Sequence, residues 1–402
     1  MNQNNKLPKD WKLVKLGEIC NFIGGGTPSK NNKLFWNGDI PWASIKDIKG
    51  KYLIKTSDYI SQEGVKQSAT NLALPNEIIL ATRINPGRPI ISKIKSAINQ
   101  DLKIVRPKND VDTLYLYYAF LNYERQILKL SSGTTVKGIT LNLLNSIEFP
   151  IPNLKDQQNI VSKIEELFSE LDKGIEDLKT TQQQLKVYRQ SVLKWAFEGK
   201  LTNEKVKDGI LSKDWKLTKF SEAVTLSSLK HQPIKQEELF YIGLEHIEKH
   251  SGKLTSKVGI EKITTIKNKF SKGDILYGKL RPNLNKVYLS NEEGVCSTDI
   301  LVLKLSDNCL GKYLHHIMLS TAFVNEMSEN TSGVNLPRVS TKFIMNYKIP
   351  LPTVKEQCQI IQEIESRLSV ADKMEESIVQ SLQQAEALRQ SILKKAFSGE
   401  LI

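Results

Sequence analysis

"RQSVLKWAFEGKL" occupies residues 189–201 and "RQSILKKAFSGEL" occupies residues 389–401. Nine of the thirteen positions are identical at a constant offset of 200. The correspondence continues outward. "FPIPNLKDQQNIVSKIEE", from Phe149, aligns without gaps on "KIPLPTVKEQCQIIQEIE", from Lys348, once the leading residue is slid by one. Pro150 then falls on Pro350, Pro152 on Pro352, Gln157 on Gln357 and Ile164 on Ile364. "PKDWKLVKLGEI", from Pro8, also matches "SKDWKLTKFSEA", from Ser212. A period this long excludes a solenoid, whose repeats are far shorter. The repeating unit is a globular region of roughly 150 residues followed by a connector of roughly 50, used twice. The expected boundaries are 1–150 and 203–350 for the globular regions, and 151–202 and 351–402 for the connectors.

The connectors read as long helices. Asn153 and Thr353 are good N-caps, Asp156 and Glu356 follow three residues later in capping-box position, and prolines precede each cap. Gly199 and Gly399 are placed to end the helices in a left-handed residue. The span between these signals predicts rods of ~65 Å. Gly174 and Thr181 mark a possible weak point in the first copy. A seven-residue pattern puts Ile160, Ile164, Leu167, Leu171, Leu178, Leu185, Tyr188, Val192 and Trp195 on one stripe. The second stripe holds Ile360, Ile364, Ala371, Met374, Ile378, Leu388 and Ile392. So narrow a stripe is a coiled-coil seam, and two tandem copies bury their seams against each other if the helices run antiparallel. A pseudo-two-fold arrangement with one globular region at each end follows. The competing arrangement packs each helix on its own domain.

Short β-type runs recur in the globular regions: "EIILATR" from Glu77, "LKIVRP" from Leu102, "DILYGKL" from Asp274 and "DILVLKL" from Asp299. One helical run follows in each, "TLYLYYAFLNYERQIL" from Thr113 and "GKYLHHIMLSTAFVNEM" from Gly311. The fold class is therefore α+β: two tandem globular domains separated by two long antiparallel coiled-coil helices.

The net charge is +13 over 402 residues, and it is unevenly placed. Residues 1–150 carry +9, 151–202 balance, 203–350 carry +6 and 351–402 carry −2. Two separate basic regions on near-neutral connectors fit phosphate neutralisation on nucleic acid. A lysine-rich surface that only confers solubility has the same composition. No apolar run reaches the ~20 residues of a membrane span. The N-terminus has no secretory h-region. Cys20, Cys296, Cys309 and Cys358 are scattered, which fits reduced thiols in a cytoplasmic protein and argues against a disulfide framework or a zinc site.

Motifs of bond chemistry are missing. "GGGTPSK" (24–30) does not match the P-loop pattern; it reads as a turn, with DNA-backbone contact through its N–H groups as the functional alternative. "HIEKH" places His246 and His250 four apart without the metalloprotease pattern. His231, His315 and His316 complete the set, and all five read as surface residues. No nucleophile elbow, kinase signature or amino-methyltransferase tetrapeptide occurs. The reading is a non-catalytic chain with no metal and no cofactor of its own. Two rivals remain at this point: a single-chain site-specific DNA methyltransferase or nuclease, and a coiled-coil scaffold with incidental basic ends.

In order and in duplicate, these segments carry a family resemblance. "LPKDWKLVKLGEI", "GGGTPSK", "NGDIPWASIKDI", "INQDLKIVRP" and "FPIPNLKDQQNIVSKIE" resemble specificity subunits of type I restriction-modification systems. "GDILYGKLRPNLNK", "CSTDILVL" and "IPLPTVKEQCQII" are similar to that family's second target-recognition domain. The resemblance spans essentially the whole chain, and the twice-used P-x-P-x-x-x-[DE]-Q entry to each helix is its most specific mark. It implies two DNA-reading domains, each taking one half of a split asymmetric site on double-stranded DNA. It implies helices that act as a ruler and dock methyltransferase subunits, expected to be two. Restriction subunits join through the complex. S-adenosylmethionine, ATP and Mg are implied on those partners and not on this chain.

Specific readout uses Arg or Lys toward guanine and Asn or Gln toward adenine. The candidates in the first region are Lys30, Lys46, Arg83, Arg88, Thr135 and Lys137. Those in the second are Lys279, Arg281, Asn283, Asn285, Asn335 and Arg338. "SSGTTVKGIT" (131–140) and "TSGVNLPRVS" (331–340) fall at equivalent places in the repeat and resemble binding loops. Trp195, Phe197, Lys394 and Phe397, at the helix ends, are candidates for docking a partner subunit. Equally open is an intramolecular role, in which Ala196 with Phe197, and Ala396 with Phe397, close each rod end against a neighbouring domain.

Overall fold

The computed structural model describes residues 7–108, 110–133, 136–203, 215–234 and 237–402, apart from the Lys262 side chain. The chain divides into two compact units, one of residues 1–178 and 380–402, the other of residues 179–379. Each unit combines two larger sheets, and smaller two-stranded ones, with a stretch from both long helices.

In the first unit the β-type runs join in a five-stranded sheet. Its order is Cys20–Gly24, Leu102–Pro107, Ile78–Ala81, Pro89–Ser92 and Tyr52–Leu53. Asp58–Ile60, Ile40–Ala43, Ser96–Ile98 and Leu72–Ala73 form a four-stranded sheet in that order. Within it Ile40–Ala43 runs parallel to Ser96–Ile98, pairing Trp42 with Ala97. The second unit repeats the plan. Val224–Leu226, Ile300–Leu305, Ile275–Gly278 and Val287–Leu289 form one sheet, and Phe240–Ile242 runs parallel to Gly294–Cys296 in the other, pairing Tyr241 with Val295. The register makes Trp42 and Tyr241 equivalent.

The helical run of the first domain is one helix, Thr113–Leu130. The second domain departs from the sequence expectation of a single helix. It has two, Gly311–Leu319 and Thr321–Glu329, because Ser320 adopts an extended backbone and caps the second by accepting from Phe323 N–H at 3.4 Å.

The connectors are single helices, Leu154–Glu198 and Val354–Ser398, each of 45 residues and so about 67 Å long. Gly174 does not interrupt the first. Asn153 caps it, accepting from Asp156 N–H at 3.0 Å and donating back to the Asp156 carboxylate at 2.8 Å. Both helices end in a Schellman turn. Gly199 has φ +87° and Gly399 φ +79°, and Lys200 N–H and Glu400 N–H each reach back to the carbonyl five residues earlier at 2.9 Å.

The helices run antiparallel within each unit. In the first, Arg389 meets Asp172 and lies over the Phe168 ring at 4.5 Å, while Gly399 and Ile402 share a small hollow with Asp156. In the second, Arg189 pairs with Asp372 at 2.6 Å and Glu375 at 2.9 Å. The seam is only partly the heptad stripe. Ile160, Ile164, Val192, Ile360, Ile364 and Ala371 are fully buried, but Met374 and Leu388 are half exposed at 53% and 51%. Near the ends the buried face widens to include Val161, Phe168, Leu193, Ile361, Leu393, Ala396 and Phe397. The stripe is broad there because each end packs on a domain as well as on the other helix.

The histidines also depart from expectation. His315 and His316 are buried on the helix Gly311–Leu319, and their Nε2 and Nδ1 atoms lack hydrogen-bond partners. Burial pushes both imidazoles down to about 4. His246 is a turn residue whose Nδ1 accepts from Gly243 N–H at 3.0 Å.

Candidate DNA interface

Each domain is fastened to a helix start by one buried glutamine. Gln157 donates to the carbonyls of Asp110 and Pro152, both at 2.9 Å, and accepts from Asp112 N–H at 2.8 Å. Gln357 donates to Asn308 at 2.8 Å and Pro352 at 2.9 Å, and accepts from Leu310 N–H at 2.8 Å. Both side chains are fully buried. The amide is saturated on three sides, so the invariant spacing from the two prolines to the glutamine is a structural requirement. Tyr115 and Tyr313 repeat the same logic, donating to the carbonyls of Pro150 and Pro350 at 2.7 and 3.0 Å.

The helix ends close on the domains. Phe397 is 4% exposed and packs on Tyr115 with ring centroids 5.1 Å apart. Phe197 meets Tyr313 edge-on at 5.6 Å. This corrects the docking assignment of Phe397, which has no free surface to offer. The intramolecular alternative accounts for the opening repeat: each copy seals a helix end against one of two equivalent tyrosines. Trp195 is partly exposed and Lys394 exposed.

In each domain a turn and a hairpin meet. In the first, Ser132 pairs with Gly138, and Gly138 also bridges Arg83. Ile84 N–H donates to the Lys137 carbonyl at 2.8 Å. In the second, Thr331–Ser332 pairs with Arg338–Val339, Arg338 bridges Leu280, and Arg281 N–H donates to the Pro337 carbonyl at 2.7 Å. Ile84 and Arg281 thus occupy the same position, and both are left-handed, with φ +69° and +49°. A β-branched residue there is strained, and such strain persists where surrounding bonds hold it.

Around this tip the structure gathers Arg83 and Lys137 in one domain, and Lys279, Arg281, Asn283, Asn335 and Arg338 in the other. Arg83 pairs with Asp101 and Arg338 with Asp299, each at 3.3 Å. The two aspartates are equivalent, since Thr82 N–H donates to the carbonyl of Asp101 and Lys279 N–H to that of Asp299. The sequence search named neither aspartate; each stands in a segment that carried the family resemblance.

Three candidates, Arg88, Lys30 and Lys46, lie apart from the tips. Arg88 turns to Glu124 at 3.2 Å, in a hollow that also holds Lys51, Glu165 and Arg389. Lys30 and Lys46 line a cleft with Trp36, Trp42, Ser44 and Asp58. Asn285 is a correction. It is 1% exposed, left-handed, and donates to the Met318 carbonyl at 2.9 Å, so it secures the turn and presents nothing to a ligand. Thr135 lies outside the described residues.

The "GGGTPSK" segment abuts this surface. A Cβ on Gly25 would collide with the carbonyls of Ile98 and Asn99, and one on Gly26 with the backbone of Ala69 and Thr70. Trp42 and Trp36 pin the loop, their indole N–H groups donating to the Gly26 and Ser29 carbonyls at 3.1 Å. The glycines therefore serve close backbone packing. Among the described residues no group of three or more His, Cys, Asp or Glu is arranged to hold a metal ion. No helix among them is long and apolar enough to cross a membrane.

The model of the type I restriction modification DNA specificity domain matches residues 8–180 and again 212–384. The specificity subunit of the type I restriction enzyme EcoDI of Escherichia coli is 26% identical, over 98% of this chain and 90% of its own length. The EcoR124I/EcoR124II specificity subunit of Escherichia coli is 35% identical over 45% of this chain and 47% of its own. Among solved structures, a chain from work on assembly and conformational transition of the type I R-M system aligns with a TM-score of 0.76 at 18% identity, covering 98% of this chain and 99% of that one. The HsdS subunit from Thermoanaerobacter tengcongensis aligns with a TM-score of 0.59 at 18% identity, covering 99% of both chains.

Proposed function

The chain belongs to the type I restriction modification DNA specificity family, and on that premise we propose how it reads DNA. It is the non-catalytic, sequence-specific DNA-binding subunit of a type I restriction-modification system, and it acts in a complex with methyltransferase and restriction subunits. Residues 1–150 and 203–350 are the two target-recognition domains; 151–202 and 351–402 are the spacer helices. Each domain reads one half of a bipartite asymmetric site. S-adenosylmethionine, ATP and Mg belong to the partners, two methyltransferase subunits join each chain, and the complex works in the cytoplasm.

One observation carries this reading: the same turn-and-hairpin tip occurs in both domains, with a left-handed residue at the same position and an aspartate at the same position, paired to an arginine from the turn in one domain and from the hairpin in the other, while the exposed residues around it differ. Arg83 and Lys137 in the first domain, and Lys279, Arg281, Asn283, Asn335 and Arg338 in the second, are the proposed DNA contacts. Most such contacts neutralise phosphate and set register; only those reaching base edges specify. Lys394 and Trp195, on the helices and not sealed into a domain, remain the proposed partner contacts.

The helices set the distance between half-sites. One added helical turn lengthens a rod by about 5.4 Å, and half-sites one duplex turn apart are separated by ~34–36 Å. Inserting one or two turns between Leu178 and Leu185 is expected to widen the methylated site's central gap by a few base pairs and leave both half-sites unchanged. Methylome sequencing of cells co-expressing the methyltransferase partner reads this directly; altered half-sites with an unchanged gap would reject the ruler.

A further inference from the structure

The cleft beside the "GGGTPSK" loop is built unlike a general phosphate-binding surface. It has a volume of about 520 Å³ and is lined by Lys30, Trp36, Trp42, Ser44, Lys46 and Asp58. That size lies in the range of small-ligand pockets. Its wall holds two indoles packed edge to face, with centroids 5.0 Å apart and an interplanar angle of 82°. Trp42 is 5% exposed and Trp36 is partly exposed. Both indole N–H groups are already committed to the loop, so the rings are fixed before anything binds. Lys46 and Asp58 form an ion pair at 2.7 Å, placing a donor and an acceptor side by side. Lys30 is exposed and enters no ion pair or hydrogen bond among the described residues.

An aromatic platform, an adjacent donor and acceptor, and a free ammonium make up the chemistry that holds one unpaired nucleotide. Bases stack on aromatic faces regardless of identity, polar groups meet their edges, and a cation meets the backbone. The carboxylate of Asp58 argues against a site for phosphate alone. The second domain lacks this combination. By strand register Tyr241 stands where Trp42 does, and three residues on from the paired strand Glu245 stands where Lys46 does, so the charge is reversed.

Resting on the reading of this domain as a DNA-recognition domain, we infer that the cleft takes a single unstacked nucleotide of the bound DNA. Its base lies against Trp36 and its phosphate on Lys30. The site is specific to the first domain.

The test uses the full chain co-purified with its methyltransferase partner, and duplexes carrying the methylated site. One duplex is fully paired; others bear one extrahelical nucleotide at successive positions in either half. An extrahelical nucleotide in one half only is expected to tighten binding about tenfold, the scale of one stacked base. Trp36→Ala is expected to abolish that gain and Trp36→Phe to keep most of it, with affinity for the fully paired duplex unchanged in both. Lys30→Ala reduces the gain and its salt dependence. Tight binding of the paired site with no gain from any extrahelical nucleotide overturns the cleft assignment and leaves DNA recognition standing. A gain that survives Trp36→Ala overturns it too. Failure of the wild-type complex to bind the paired site removes both readings.

Discussion

The two domains place the same helix residue at the same point and fill it differently. The first reads Tyr115-Leu116-Tyr117-Tyr118; the second reads Tyr313-Leu314-His315-His316. The leading tyrosine is kept because its hydroxyl bonds a proline carbonyl in each. Beyond it the surroundings diverge. Tyr118 accepts from Lys51 at 3.0 Å and donates to Glu165 at 3.3 Å, whereas the matching His316 is buried with an unpartnered Nδ1. Glu165 takes its ion-pair partner Lys51 from the domain's sheet region, while its counterpart Glu365 takes Lys312 from the helix itself, at 2.7 Å. Duplication has kept the parts that fasten a domain to the helices and released the rest.

The sharpest way to break this comparison is to remove the shared fastening. Gln157→Leu or Gln357→Leu leaves two carbonyls and one N–H buried without partners. Either is expected to cost about 3–5 kcal/mol in denaturant unfolding. The two losses should agree closely; a large difference would show that the matching bonds do unequal work.

Acid separates the halves next. His315 and His316 are held at about 4, below the ordinary value of 6.5, mainly by burial. Each binds its proton more readily when unfolded, so its stability contribution is complete above pH 6.5 and lost as pH falls toward 4. Per histidine the loss is on the order of 3 kcal/mol. Tyr117 and Tyr118 are raised and stay neutral throughout this window, so they add no slope. Thermal unfolding between pH 7 and 4 should therefore show the second unit failing first. His316→Tyr should flatten the profile, and an unchanged profile would count against buried neutral imidazoles.

The smallest effect sharpens the comparison at the tips. Arg83→Ala should weaken methylation through one half-site and Arg338→Ala through the other, each by about 1–3 kcal/mol where a base contact is lost. Methylation kinetics on sites mutated in either half would resolve this. A uniform loss across both halves would instead indicate phosphate contacts.

Much of the architecture was legible because helix signals are local. The caps at Asn153 and Thr353, the stops at Gly199 and Gly399, and the β-type runs from Glu77, Leu102, Asp274 and Asp299 all fall where the chemistry of single residues places them. The helix seam was less so. Met374, at the middle of its helix, and Leu388 fit the seven-residue pattern yet are half exposed, while near the ends burial follows contact with a domain and not the heptad. The break at Ser320 was hidden in a continuous apolar run. Asn285 looked like a base reader because asparagine suits that task, but it also suits a left-handed turn. Phe397 showed the same ambiguity between a sealed core and an open docking surface.

Sequence alone determined the duplication, the length of the two helices, the segregation of positive charge and the family, since each depends on residue identity and spacing along the chain. Tertiary structure decided which residues share a surface. Arg83 and Lys137 are 54 positions apart in sequence and meet only because a hairpin folds back onto a strained turn. The tryptophan cleft exists only because two indoles clamp a glycine loop against a neighbouring sheet. Spacing fixes what a helix does with itself; packing fixes what distant segments present together.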